Sequence, residues 1–267
     1  MNTRDLFDLT GKAAIVTGGG TGIGRQLAQG LAELGADVVL CARKADRCER
    51  AAAELRGELG VRALGLACDV RDPVSVEAVV ERTVAELGRV DILVNNAGTT
   101  WGAPPEDLPL DAWRKVIDVN LTGVFLFAQA VGRRMIEQGP GGRIVNIASI
   151  AGLVGQPAEH ADSVVYHASK GGVIALTRDL AVKWARHGIG VNAIAPGWFP
   201  TDMATHSLGL HADGMKARIP LGRIAGADEI ASAVAFLAGD GARYVNGAEL
   251  VCDGGMILNG SVGHARD

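Results

Sequence analysis

Short apolar runs rich in β-branched residues alternate along this chain with longer segments in which apolar residues recur every three or four positions. Runs that are apolar throughout predict strands buried on both faces of a parallel sheet, and the longer segments predict helices that cover those faces. The strands are predicted at residues 12–18, 36–42, 61–70, 89–98, 142–149, 189–197 and 248–255. This alternation predicts an α/β protein built from repeated strand–helix–strand units.

Helix ends are marked by glycine and proline. The first helix is predicted from about Gly22 to Leu34, because Gly35 follows it, and Pro73 opens the third. A second helix is predicted to end near Glu58. Three further helices are predicted: one at 111–138, one in the segment that carries Tyr166 and Lys170, and one at 228–238. Residues from about 198 to 226 are irregular and long for a connection, which predicts a substrate-binding loop or lid.

Composition and length describe a globular chain. Hydrophobic residues make up 48% of the 267 positions, charged residues 21%, and 37 residues are glycine. This length fits one large α/β domain or two small ones. Because no linker or repeat interrupts the alternation of elements, we expect residues 1–267 to form a single domain.

Charge and cysteine content restrict the class of partner. The formal net charge is −4, and acidic and basic residues are interspersed, so the sequence shows no basic patch for binding nucleic acid or a membrane surface.

The first residues lack the apolar core of a signal peptide, and no uninterrupted apolar run reaches the roughly 20 residues of a spanning helix. We therefore expect a cytoplasmic protein. The four cysteines and six histidines follow no ligand spacing, so we expect reduced thiols and no metal.

The sequence TGGGTGIG, residues 17–24, lies where the first predicted strand meets the first predicted helix. Glycines there permit unusual backbone angles and leave the helix N-terminus open to a pyrophosphate. A nucleotide-hydrolysing phosphate loop would continue with Lys and then Ser or Thr, whereas this chain continues with Arg25 and Gln26. The loop therefore predicts a dinucleotide site with contacts from Gly18, Thr21, Gly22, Ile23 and Gly24.

The end of the second predicted strand bears on the choice of cofactor. An acidic side chain at this point would accept hydrogen bonds from the adenosine ribose, but the sequence there is CARK, and Ala42 has no carboxylate. Arg43 and Lys44 are cations suited to a 2′-phosphate, which favours NADP(H) over NAD(H). The alternative is that these residues are only the solvated start of a helix.

Several motifs occur in the order found in short-chain dehydrogenases/reductases. They are TGGGTGIG, CDV at 68–70, NNAG at 95–98, Asn120 in VNLTG, Ser149, YHASK at 166–170 and APG at 195–197. The chain resembles this family over nearly its whole length, and within it the 3-oxoacyl reductase branch, including the rhamnolipid-type ketoacyl reductases. The resemblance implies a single-domain Rossmann-type fold with a doubly wound parallel sheet of about seven strands and helices on both faces. It also implies a homotetramer, with helices 111–138 and 164–187 as contact faces.

The resemblance also implies further cofactor contacts. Asp69 and Val70 would hold the adenine, and Asn96, Ala97 and Gly98 would pass close to the adenosine and sugar portions. Tyr166 and Lys170 would lie beside the nicotinamide ribose. The remaining implied contacts, around the nicotinamide, are Pro196, Gly197, Phe199 and Thr201.

The residue chemistry independently supports a catalytic group. Hydride addition to a carbonyl leaves a negative oxygen that needs a proton, and a phenol donates one efficiently only when its environment favours the phenolate. Lys170 lies one helical turn after Tyr166, so its charge is expected to lower the pKa of Tyr166. Ser149, at the end of the fifth strand, would orient the carbonyl. The resemblance implies that Asn120 holds a water that takes part in a proton relay to Lys170.

The substrate is expected to be a small ketone or alcohol, and three interpretations remain open. The first is a 3-oxoacyl thioester or a similar ketone, for which apolar contacts would come from Trp101, Trp198, Phe199, Met203 and Met215. The second is a polyol or sugar acid, gluconate-like, processed by the same chemistry. The third is a dinucleotide sensor without catalysis. The 17 positions from Ser149 to Tyr166 are more than is common in the family, which places specificity in that interval.

Overall fold

Seven parallel strands form one sheet in the computed structural model, which describes residues 2–139, 141–157, 162–200, 214, 216–226 and 228–258. The strand predictions are confirmed within a few residues at each end. The strands are β1 (Ala13–Thr17), β2 (Asp37–Ala42), β3 (Ala63–Ala67), β4 (Ile92–Asn95), β5 (Gly142–Ile147), β6 (Ile189–Pro196) and β7 (Glu249–Cys252).

The strand order is β3-β2-β1-β4-β5-β6-β7, and every neighbouring pair is parallel. The order reverses direction between β1 and β4, where the connections from the two strands leave on opposite sides. In doubly wound sheets this reversal opens a crevice at the carboxyl ends of the strands, and ligands bind there. The Rossmann-type prediction is therefore confirmed, and the carboxyl edge becomes the place to look for a site.

Helices cover both faces of the sheet. They are α1 (Gly22–Glu33), α2 (Ala45–Leu59), α3 (Pro73–Leu87), α4 (Leu110–Ile117), α5 (Gly123–Gln138), α6 (Val164–Trp184) and α7 (Ala231–Ala238). One core contains residues of α1, α2 and α7, and the other contains residues of α3, α5 and α6. Alternate residues of β1 serve the two cores, because successive side chains of a strand point to opposite faces: Ala14 and Val16 join the first, Ala13 and Ile15 the second.

The long helix predicted at 111–138 is modified in one respect. Its residues from Asp118 to Thr122 form a π-helical segment between α4 and α5. By length and composition the combined stretch Leu110–Gln138 could cross a membrane, with a mean hydropathy of 1.2, but half of that window is buried. Phe127, Val131 and Met135 pack against the sheet, which is the environment of a core helix.

A row of buried polar side chains links the sheet to α6. Asn95 and Asn146 are paired in register on β4 and β5, and the Asn95 Nδ2 donates to the Asn146 Oδ1 at 2.9 Å. The Asn146 Nδ2 donates to the Thr177 Oγ1 at 2.9 Å, and this hydroxyl donates to the Val173 carbonyl within α6. Each group is almost completely buried, so its hydrogen bonds replace those lost to water. This row ties the middle of α6 to β5.

Candidate active site

The glycine loop forms the turn between β1 and α1 that the sequence predicts. Gly18 and Gly22 have φ of 66° and 54°, and a side chain at Gly24 would meet the Gly18 carbonyl and the Asn96 amide. Thr21 precedes α1 in an extended conformation, and its side chain makes no capping hydrogen bond. The N–H groups of the first turn are therefore not covered by a side-chain cap, and they suit an anion.

Asn96 braces this loop from the end of β4. Its Nδ2 donates to the Thr17 carbonyl at 2.9 Å and to the Gly18 carbonyl at 3.3 Å. The Thr17 Oγ1, in return, accepts the backbone N–H groups of Asn96 and Ala97. The amide of Asn96 is thus used within the protein and holds the loop in shape. Sequence reasoning did not single out Thr17, because its partners lie 79 and 80 positions away.

The ends of β2 and β3 gather charge beside the loop. Arg43 and Lys44 are exposed, and the Asp69 carboxylate accepts three hydrogen bonds from the guanidinium of Arg71. The Arg71 hydrogen bonds, assisted by the charge of Arg43, lower the pKa of Asp69 to about 2. Asp69 is therefore ionised throughout the physiological range. Its neighbour Val70 is buried against Gly123, at the start of α5.

Ser149 follows β5 and begins a tight turn. It is 9% exposed, and its Oγ accepts the backbone N–H of Ala151 at 3.1 Å. The turn continues to Gly152, where a Cβ atom would lie only 2.7 Å from the backbone of Lys170. Only glycine lets α6 approach this closely. The contact brings the segment that carries Ser149 against the helix that carries Tyr166 and Lys170.

Lys170 crosses from α6 back to the end of β5. Its Nζ is buried, donates to the Ile147 carbonyl at 2.7 Å, and lies 5.6 Å from the centre of the Tyr166 ring. Burial disfavours the ammonium ion and lowers the pKa of Lys170 from 10.5 to about 8. The group is therefore mostly charged at neutral pH and becomes neutral in weakly alkaline solution.

The pKa of Tyr166 differs from the sequence expectation. We expected Lys170 to lower it, but in the structure burial of the phenol has the largest effect and raises it above 10. A hydrogen bond between the Ser149 and Tyr166 side chains opposes that rise. The phenol is therefore protonated at neutral pH, and Ser149 is the neighbour that favours its ionisation.

Asn120 lies in the π-helical segment and is completely buried. Its Oδ1 accepts the Thr99 N–H at 2.8 Å, and its Nδ2 donates to the Thr99 carbonyl at 2.9 Å and to the Ser169 Oγ at 3.0 Å. A methyl group at Gly98 would lie 3.5 Å from the Asn120 Oδ1 and 3.9 Å from the Lys170 Nζ. The oxygen and the amine therefore face one small space beside Gly98.

The segment after β6 is only partly described. Pro196 is buried at the end of β6, and the Gly197 N–H donates to the Cys252 carbonyl of β7 at 2.9 Å. Phe199 is 4% exposed and belongs to the core cluster that contains residues of α1 and α7, so neighbouring protein atoms cover most of its side chain. Thr201 and much of the predicted loop at 198–226 lie outside the described residues.

A cavity of about 480 Å³ lies beyond the ends of β6 and β7. Its wall is largely apolar, with one ion pair between Arg223 and Glu229 at 2.6 Å. The apolar lining residues are Trp198, Phe199, Ile219, Leu221, Val251, Ile257 and Leu258. Ile150, next to Ser149, belongs to the same hydrophobic cluster as Ile219 and Trp198 of the cavity wall.

The interval between Ser149 and Tyr166 meets the loop after β4. The Ala103 N–H donates to the Asp162 carbonyl at 2.8 Å, and Trp101 is 40% exposed with the Lys115 amine 5.5 Å from its ring centre. Residues 158–161, the middle of the interval in which we expected specificity, lie outside the described residues. In the described part, this hydrogen bond holds Asp162 next to the loop that carries Trp101.

Comparison with known proteins identifies relatives over nearly the whole chain. The model of a family described as enoyl-(acyl carrier protein) reductase matches residues 18–257. D-threitol dehydrogenase of Mycolicibacterium smegmatis is 45% identical over 253 residues, covering 94% of this chain and 95% of that protein. The 3-oxoacyl-(acyl-carrier-protein) reductase FabG of Escherichia coli is 41% identical over 252 residues, covering 94% and 100%. The crystal structure of a gluconate 5-dehydrogenase from Burkholderia cenocepacia with NADP and tartrate has a TM-score of 0.90 and 39% identity, covering 96% and 99%.

The lowered pKa of Lys170 makes the stability of the fold depend on pH. Between pH 8 and pH 10.5 the unfolded chain binds the proton that the folded chain has lost, so the free energy of unfolding rises with pH in this range. Lys170→Met removes this contribution. We expect the stability of the parent protein relative to Lys170→Met to rise by about 2 kcal/mol between roughly pH 7.5 and 9.5, measured by urea denaturation. Lys183→Met, at an exposed lysine, is the control, and a difference that stays constant with pH would contradict the assignment.

Proposed function

We propose residue roles and a substrate class from one established premise: the chain belongs to the short-chain dehydrogenase/reductase family and is an NAD(P)-dependent oxidoreductase acting on CH–OH and C=O groups. The observation that carries the proposal is the convergence of Ser149, Tyr166, Lys170 and Asn120 at the carboxyl edge of the sheet. Catalysis needs all of these groups, whereas a dinucleotide sensor needs none of them. Membership of the family therefore decides against the sensor interpretation.

We assign the cofactor to the crevice between β1 and β4. The fit is supported by the uncapped N-terminus of α1 and by Gly24, where a side chain would close the loop. Gly18, Thr21, Gly22 and Ile23 would surround the pyrophosphate, and Asp69, Val70, Ala97 and Gly98 would line the adenosine half. When bound, the reduced nicotinamide supplies the hydride that adds to the carbonyl carbon.

Tyr166 supplies the proton in the proposed mechanism. The phenol is protonated at neutral pH, so it donates its proton to the carbonyl oxygen as negative charge develops there. Ser149 would donate its single O–H to the same oxygen as charge develops there, and after the proton transfer that O–H would turn to the phenolate, since Ser149 lies within hydrogen-bonding range of Tyr166. Lys170, charged at neutral pH, would return a proton towards Tyr166 and regain one from a water that Asn120 would hold in the space beside Gly98.

Replacing Tyr166 tests this assignment. Tyr166→Phe keeps the packing and removes the proton donor, so we expect turnover to fall by at least about a hundredfold while NADPH still binds, as measured by initial rates and by fluorescence titration. Tyr244→Phe is the matched control, because Tyr244 is the only other tyrosine in the chain and is fully exposed. Turnover within a factor of a few of the parent in Tyr166→Phe would overturn the role.

The preference for NADP(H) is a separate proposal. It is supported by the exposed cations Arg43 and Lys44 at the end of β2, and by Ala42, which offers no carboxylate to a ribose hydroxyl. A relative of known structure is described with NADP bound. A 2′-phosphate would meet complementary charge at Arg43.

The paired change Ala42→Asp and Arg43→Asp tests the cofactor preference. The new carboxylates repel a 2′-phosphate and accept hydrogen bonds from a free ribose hydroxyl, so the KM for NADPH should rise by at least about tenfold while that for NADH falls or stays constant. Steady-state kinetics with both cofactors measure this ratio. Arg50→Asp, at an exposed residue of α2, is the control. An unchanged ratio in the paired variant would refute the preference.

The substrate is proposed to be a 3-oxoacyl thioester or a comparable ketone. The support is the largely apolar cavity of about 480 Å³ beyond β6 and β7, which suits an acyl chain and whose wall shares a hydrophobic cluster with Ile150, together with the similarity to 3-oxoacyl reductases. A polyol or sugar acid is the second candidate. It is favoured by the similarity to a D-threitol dehydrogenase and to a gluconate 5-dehydrogenase.

A substrate panel distinguishes these two candidates. NADPH oxidation is followed with acetoacetyl-coenzyme A and with 5-ketogluconate, and NADP⁺ reduction with D-threitol and gluconate. We expect the highest kcat/KM with the thioester, because the cavity wall is largely apolar. Activity confined to the polyol and sugar-acid arms would establish the second candidate and exclude the first.

The proposal also covers assembly and location. We propose that residues 1–267 act as one domain, because all seven strands belong to one sheet in the described part of the chain. We also propose a cytoplasmic homotetramer. Exposed apolar residues on α4, α5 and α6 support the assembly: Leu110, Phe125, Ile136, Val164 and Val182. Sedimentation equilibrium would give the mass of four chains.

A further inference from the structure

Ser169 joins two elements of the site through a single hydroxyl. It is completely buried in α6, between Ala168 and Lys170. Its Oγ donates to the Tyr166 carbonyl at 2.8 Å and accepts the Asn120 Nδ2 at 3.0 Å. The same oxygen therefore contacts the helix turn that carries Tyr166 and the π-helical segment that carries Asn120.

The second contact completes the hydrogen bonding of the Asn120 amide. One Nδ2–H donates to Thr99 and the other to Ser169, so both donors are used inside the protein. Thr99 holds Asn120 to the loop after β4, and Ser169 holds it to α6. Without the Ser169 hydroxyl, one buried N–H of Asn120 would lack a described partner, and the amide would be held to the loop after β4 but no longer to α6.

We infer that Ser169 is a positioning residue for the reaction: its hydroxyl sets the distance between Asn120 and the Tyr166–Lys170 turn. This inference rests on the proposed function, since only catalysis by Asn120, Tyr166 and Lys170 requires that the three residues keep a fixed relative placement. Ser169 touches neither substrate nor cofactor in this account. It acts through Asn120 on one side and through the backbone of Tyr166 on the other.

A second hydroxyl of the same helix makes the inference testable. Thr177, two turns further along α6, also donates to its own helix, to Val173, and also accepts from a buried asparagine, Asn146. It is 1% exposed. Removing either hydroxyl leaves one buried asparagine N–H without its acceptor, so the structural cost is similar at the two positions. The two sites differ in distance from Tyr166: by the helix rise, Thr177 lies about 12 Å further along the helix than Ser169.

The experiment compares Ser169→Ala with Thr177→Val. Unfolding free energies from urea denaturation and NADPH affinities from fluorescence titration check that the two variants are equally folded and bind the cofactor. Turnover of acetoacetyl-coenzyme A and of D-threitol gives kcat and KM. Absorbance at 295 nm follows the titration of the two tyrosines, of which Tyr244 is fully exposed, and this titration requires no substrate.

The expected result is a loss of kcat of about tenfold in Ser169→Ala, with KM little changed, and kcat within about twofold of the parent in Thr177→Val. The titration of Tyr166 should move towards its ordinary pKa in Ser169→Ala alone, because a loosened first turn admits water to the phenol. Ser169→Ala added to Asn120→Ala should lower kcat little further, since the two groups form one contact.

Equal kcat in the two variants, or an equal change in the tyrosine titration, would show a role in folding alone and overturn the inference. If the parent protein turns over neither probe, the proposed substrates fail. The titration then decides the role of Ser169 independently, so the two failures are distinguishable.

Discussion

The close contact between α6 and the end of β5 is the constraint on which the site depends. At Gly152 the turn after β5 touches the backbone of Lys170 with no room for a Cβ atom. Lys170 returns across this contact to the Ile147 carbonyl. The Asn146–Thr177 hydrogen bond fixes the same helix further along the strand. The contacts at Gly152 and Lys170 hold the first turns of α6 against the end of β5, and that placement brings Tyr166 against Ser149.

Burial at this contact affects both ionisable groups in the same sense, because it disfavours each charged form. The pKa of Lys170 falls to about 8 and that of Tyr166 rises above 10. At neutral pH the phenol therefore keeps its proton while the lysine stays mostly charged. A protonated phenol is the form needed to reduce a ketone. Oxidation of an alcohol needs the phenolate and is favoured at higher pH.

The sequence was sufficient for the strands and for the glycine loop, because apolar periodicity and glycine position are local signals. It was not sufficient for contacts between distant segments. Thr17, Ser169 and Thr177 are ordinary hydroxyl residues in sequence, and their partners become visible only when β1, β4 and α6 come together. The π-helical segment around Asn120 also leaves no compositional mark. The direction of the Tyr166 pKa was wrong because burial cannot be weighed against charge without coordinates.

Residues 95–99, after β4, connect the two halves of the site. Asn95 donates to Asn146 on β5 and to the Val124 carbonyl of α5, Asn96 holds the glycine loop, and Thr99 holds Asn120. Between them, Gly98 leaves open the space that the Asn120 oxygen and the Lys170 amine share. Any displacement of this stretch would move the cofactor loop and the proton relay together. The buried amides that hold it are costly to desolvate, and they are retained because each one has a partner in a different element. The same stretch, residues 95–99 at the centre of the sheet, thus helps to position both the dinucleotide and the proton donor.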